Sequence, residues 1–167
     1  MGFKEEILKN GNILRTYFAN DISNLYKIYH NGHDILFPYQ TMQLGLNQKI
    51  NFMIDLKKLD LNFSLVNIKM RFKSNKPIFK SQIYLTKEKS MNSNNIDNII
   101  GEFENPKKNV YEIDLTKYFY KKINTKLFFG IYTNKSIVFY SIYSSYDLMP
   151  EVIIEFVPKF KINKMLT

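Results

Sequence analysis

Two histidines, a handful of acids and a run of tyrosines are the side chains with the most obvious capacity for chemistry. His30 and His33 stand three apart with Asp34 beside them, a spacing that could supply two or three ligands to a metal ion. The intervening Asn31-Gly32 is a turn signal, and a turn accounts for the cluster without a metal. Glu151 and Glu155 fall on one face of an extended segment, but glycoside cleavage needs two acids facing each other across a cleft. Here they read as the wet face of a strand near the end of the chain. There is no cysteine, which removes thiol nucleophiles, thiolate zinc sites and disulfides together. Six glycines form no phosphate-cradling loop, and no serine sits in a nucleophile elbow. The sequence therefore predicts no catalytic residue, no metal site and no cofactor.

Tyr140, Tyr143 and Tyr146 lie next to Ser141, Ser144 and Ser145. Tyrosine buries a large, stiff surface at low entropic cost, so the group suits either a protein interface or a sugar ring. A second group is the apolar leading segment. Phe3, Ile7 and Leu8 fall at helical spacing with Gly11 to end the turn, and Ile13, Leu14, Tyr17 and Phe18 follow in a stretch that could be extended. This segment must pack on something, and these seven residues are the candidate subunit contacts. It either docks on a neighbouring subunit by adding to a sheet edge or completes a sheet of its own domain.

The elements that must position these groups are strands. Ile50, Phe52, Ile54 and Leu56 alternate with Lys49, Asn51 and Asp55. Val66, Ile68, Met70 and Phe72 alternate with Asn67, Lys69, Arg71 and Lys73, which places the first set inside. Phe79, Ser81, Ile83 and Leu85 continue the pattern. Lys126–Thr133 and Ser136–Ile142 read as strands buried on both faces, with Asn134-Lys135 as a tight hairpin turn between them. Val152, Ile154 and Phe156 point inward from Glu151–Val157. Residues 88–98 and 105–109 read as loops. One short helix is expected over Thr116–Lys122, capped by Asp114. So many half-buried strands in one 167-residue chain need two sheets face to face, hence an all-β antiparallel sandwich with one short helix. The expected organisation is an N-terminal arm over 1–25, a sandwich domain over 26–158 and a basic C-terminal extension over 159–167, whose Lys159–Lys164 also alternates.

Composition limits the partners. Aromatics make up 16%, too many for a disordered chain. The net charge is +9, yet only Arg15 and Arg71 among the 24 basic residues are arginine, and the charge is spread along the chain. Phosphate and base recognition favour arginine, so nucleic acid is not an expected partner. No apolar run reaches membrane-spanning length, and the start is charged at once, which predicts cytoplasmic synthesis without a signal peptide.

The order of several segments resembles the DNRLRE-domain family. The stretches are His30-Asn-Gly-His-Asp with Met42-Gln-Leu-Gly-Leu, Lys49-Ile-Asn-Phe-Met-Ile-Asp-Leu, Leu65-Val-Asn-Ile-Lys-Met-Arg-Phe and Tyr111-Glu-Ile-Asp-Leu-Thr. Gly130-Ile-Tyr, Ile137-Val-Phe-Tyr-Ser and Met149-Pro-Glu-Val-Ile-Ile-Glu-Phe complete the set, together covering residues 28–157. The resemblance implies a jelly-roll β-sandwich similar to carbohydrate-binding modules. The chain departs from the family at Ser144-Ser145-Tyr146-Asp147-Leu148 and in lacking the tryptophan after Thr116, for which Tyr118 or Phe119 stands in; no ligand site carries over. The function expected is that of a non-enzymatic, self-associating structural subunit of a surface assembly, such as a spore appendage or coat or a phage particle. The alternative is a carbohydrate-binding module.

Overall fold

The computed structural model describes residues 3–18, 26–30, 33–34, 41–44, 49–56, 64–75, 83–90, 98–119, 126–140, 144–145 and 147–158. The chain enters as a hairpin of β1 (Phe3–Ile7) and β2 (Ile13–Phe18). Three short strands follow: β3 (Tyr26–His30), β4 (His33–Asp34) and β5 (Thr41–Leu44). Next come β6 (Lys49–Asp55), β7 (Ser64–Lys73), β8 (Ile83–Glu88), β9 (Ile99–Glu102), β10 (Glu104–Lys107) and β11 (Val110–Asp114). A single helical turn, α1 (Thr116–Phe119), precedes β12 (Lys126–Thr133), β13 (Ile137–Tyr140) and β14 (Glu151–Val157).

Two six-stranded antiparallel sheets result. The first runs β1-β2-β14-β7-β11-β10 and the second β4-β3-β6-β12-β8-β9. Eight of these strands pair as one long folded hairpin: β2 with β14, β6 with β12, β7 with β11 and β8 with β9. That nesting, wrapped into two layers, is the jelly roll. The fold is thus an all-β antiparallel sandwich with one short helix.

The core lies between the layers. Phe72 of the first sheet meets Phe52 of the second with ring centroids 5.9 Å apart, and also touches Phe103 at 6.2 Å and Phe139 at 5.5 Å. Phe52 stacks in turn on Phe129 at 5.3 Å. Aromatic pairs at these separations add to the simple gain from burying apolar surface. At the end of β11 the Thr116 backbone N–H donates to Asp114 Oδ1 at 2.9 Å, so Asp114 caps α1 as its residue type predicts. Leu115 N–H donates to the Ile68 carbonyl at 2.8 Å, and Ile68 N–H donates to Thr116 Oγ1 at 3.1 Å. The threonine hydroxyl thereby takes the place of the next carbonyl in the β7–β11 ladder. Phe119 is fully buried against Phe129, and Tyr118 packs edge-on to the same ring.

Several expectations are corrected. Residues 3–7 are a strand, not a helical turn; pairing with β2 outweighs the i, i+4 spacing. Val66 is 41% exposed while Leu65 packs against the core, because the β7–β14 register shifts at Glu155/Phe156 and flips every side chain beyond the bulge. β12 and β13 form no hairpin: β12 belongs to the second sheet, whereas β13 pairs with β5 and bridges Ser74 at the end of β7. Asn134-Lys135 turns the chain out of the second sheet, with Lys135 N–H donating to Thr133 Oγ1 at 3.3 Å. β13 is also buried mainly on one face, through Ile137 and Phe139. Asn105–Lys107 belongs to β10, and the turn shrinks to Lys108-Asn109, with Asn109 at φ 66°. Phe79, Ser81, most of the 88–98 loop and the 159–167 extension lie outside the described residues.

Candidate functional site

Among the described residues, most of the ion pairs lie in the leading hairpin and on the outer face of the sheet it joins. Asn10-Gly11 makes the turn: Gly11, at φ 84°, donates its N–H to the Leu8 carbonyl at 2.9 Å, and Leu8 N–H donates to the Asn12 carbonyl at 2.8 Å. Asn12 is buried and donates from Nδ2 to Glu155 Oε2 at 2.9 Å, which ties the turn to β14.

Arg15 holds the two strands of the hairpin together. Its guanidinium lies 4.6 Å from the Phe3 ring and 5.0 Å from the Phe156 ring. It pairs with Glu5 at 2.7 Å and donates from NH1 to the Tyr17 hydroxyl at 2.9 Å. Burial opposes this charge, but the bonds to Tyr17 and Glu5 outweigh it and hold the pKa above its usual value.

The seven predicted contact residues divide by position. Tyr17 is buried in the core; Phe3 and Ile13 pack against it. Leu14 and Phe18 are half-buried on the outer face, and Leu8 is half-buried in the turn. Ile7 alone is mostly uncovered, at 70% exposure. β2 pairs with β14 within the same chain, so the segment completes the first sheet of its own domain, while β1 is that sheet's border strand among the described residues.

Across the outer face runs a ladder of charge. Arg71 of β7 stands between Glu112 of β11 and Glu151 of β14, its directly opposed neighbours in both registers. It pairs with Glu112 at 2.8 Å and Glu151 at 2.9 Å. Lys69 extends the ladder to Glu112 at 3.5 Å and Lys73 to Glu151 at 3.7 Å. Burial works against the Arg71 charge, and the two carboxylates more than offset it, so its pKa is raised. Glu151 is therefore not on a wet face: it is 5% exposed beneath these cations. Glu155 is half-buried and engaged by Asn12, so the two acids face no common cleft.

A surface cavity of about 340 Å³ opens above Glu151. Lys4, Thr16 and Phe18 of the hairpin form one wall, Arg71 and Lys73 the other, and Asp147 sits at the rim. Lys73 Nζ donates to the Asp147 carbonyl, which fixes the rim to β7. The lining offers both donors and acceptors beside one aromatic ring.

No protein-family model and no curated protein matches the chain.

The second sheet carries a different polar group on its outer face. Lys49 of β6 reaches over Gly130 of β12 to pair with Glu88 of β8, and Thr86 donates from Oγ1 to the same Glu88 oxygen at 2.7 Å. Lys49, Asn51, Asp55, Thr86 and Glu88 are all buried. Next to them Tyr84 and Tyr132 stack with centroids 5.6 Å apart. The sequence sets Lys49, Asn51 and Asp55 opposite the inward residues of β6 but does not announce their burial or the pairing with Glu88, although a glycine inside a strand pattern is a usable sign of close approach by another group. Of the predicted tyrosines, Tyr140 is half-buried and opposite Thr41 in the β13–β5 pair, and Tyr143 and Tyr146 lie outside the described residues. His30 and His33 are backbone partners across β3–β4, but their side chains and that of Asp34 also lie outside them. Among the described residues no helix is long and apolar enough to cross a membrane.

Proposed function

We propose that this protein is a non-enzymatic structural subunit that associates with copies of itself in a surface assembly, such as a spore appendage or coat or a phage particle. The observation that carries this reading is β1. It is a border strand with one neighbour among the described residues, and it ends in an exposed Ile7. An uncovered strand edge offers backbone donors and acceptors to another chain, and an exposed apolar side chain rewards its arrival. On this reading the partner is protein, not nucleic acid. Light scattering of the full chain over a range of concentrations is the test. Mass should rise with concentration, and Ile7→Lys should lower it. A monomer at every concentration removes the proposal.

A second reading, glycan binding, is favoured by the cavity above Glu151. Its volume suits a small ring and its polar groups suit hydroxyls. Titration with a panel of free monosaccharides should give heat that Phe18→Ala abolishes. A panel without a binder disposes of this reading.

A further inference from the structure

The four borders of the two sheets are not equivalent. β10 contains Pro106, which has no N–H to offer, and its register with β11 is irregular. β9 meets β8 with a register shift, and β4 has only two residues. Among the described borders only β1 pairs with its neighbour over as many as five consecutive residues without a register shift.

Charges on a border strand usually repel an incoming copy. Here their order does the opposite. The strand reads Phe3-Lys4-Glu5-Glu6-Ile7. When two such strands are set antiparallel about a two-fold axis at Glu5, Lys4 of each copy falls opposite Glu6 of the other, and Phe3 falls opposite Ile7. Phe3, Glu5 and Ile7 lie on the face of Tyr17, Arg15 and Ile13, their partners in β2. Lys4 and Glu6 lie on the other face. The apolar pairs thus form on the core side and the ion pairs on the solvent side. The Glu5 carboxylates meet at the axis, but each is already held by its own Arg15 at 2.7 Å.

We propose that two copies of this chain join along β1, antiparallel and centred on Glu5, so that the first sheet continues across the two-fold axis. The proposal rests on the self-association reading and names its contact. An isologous interface of this kind requires self-complementarity, which this five-residue pattern has.

Charge reversal and cross-linking of the full chain test it. Lys4→Glu and Glu6→Lys should each weaken the dimer about tenfold, because each places two like-charged pairs across the axis. The double variant restores opposite signs and should return to within about threefold of the parent. Glu5→Cys introduces the only cysteine, and residues opposed in an antiparallel pair fall within disulfide reach, so mild oxidation should link two chains. Association that persists unchanged in both single variants, with no cross-link at position 5, overturns this contact and leaves self-association standing. A parent chain that stays monomeric overturns both.

Discussion

Lys49 and Glu88 form a buried ion pair between strands that are not neighbours, and the lysine stem crosses the intervening strand directly above Gly130. The side chains at both ends are less than 5% exposed, at 2% and 4%. A methyl group on Gly130 would stand 2.6 Å from Lys49 Cδ and 2.5 Å from Thr86 Oγ1. Gly130→Ala is therefore expected to cost about 1–3 kcal/mol, read as a lower midpoint in denaturant at unchanged slope. A neutral result would mean that the lysine crosses elsewhere.

Removing one end of a buried pair leaves an uncompensated charge, whereas removing both does not. Lys49→Met is expected to lose about 3–5 kcal/mol. Combining it with Glu88→Leu should recover most of that loss, because the remaining carboxylate is gone. A double variant no more stable than Lys49→Met would show that the donors remaining around Glu88, Thr86 among them, suffice to hold its carboxylate.

Thr116 offers a sharper test of local geometry. Thr116→Val keeps the shape but removes the acceptor for Ile68 N–H, at an expected cost of about 1–3 kcal/mol. Hydrogen exchange at Ile68 should accelerate more than at Met70. Equal acceleration at both amides would point to general loosening instead.

The Arg71 ladder has a defined pH signature. Its pKa is raised, so the stability it contributes is fully present below the ordinary arginine value and is lost only as pH climbs through the still higher folded value. The stability difference between the parent and Arg71→Met should accordingly stay level between about pH 7 and pH 10. Paired urea titrations check this. A gap that closes steadily across that interval would assign the effect to another group.

Local patterning was readable to the extent that strands are local. Lys126–Thr133 and Glu151–Val157 have the expected bounds, and Asp114 caps as its type requires. What escaped depends on register. Arg71 meets Glu112 and Glu151, residues 41 and 80 positions away, and nothing in any of the three segments alone announces that meeting. The same ignorance put Glu151 in water and Val66 in the core, since a bulge is a property of two strands together. The arm residues were recognised as apolar and in need of a partner, but periodicity could not decide that Tyr17 would find its partner inside the domain and Ile7 would not.

The proline in β10 has a consequence for the size of anything this molecule builds. Addition of strands needs a donor at each rung, and Pro106 breaks the row on the far side of the first sheet. Two chains that meet along β1 would present only such blunted margins outward, so lateral growth would terminate at a pair. Longer arrays would have to stack these pairs by their flat faces or their loop-bearing ends.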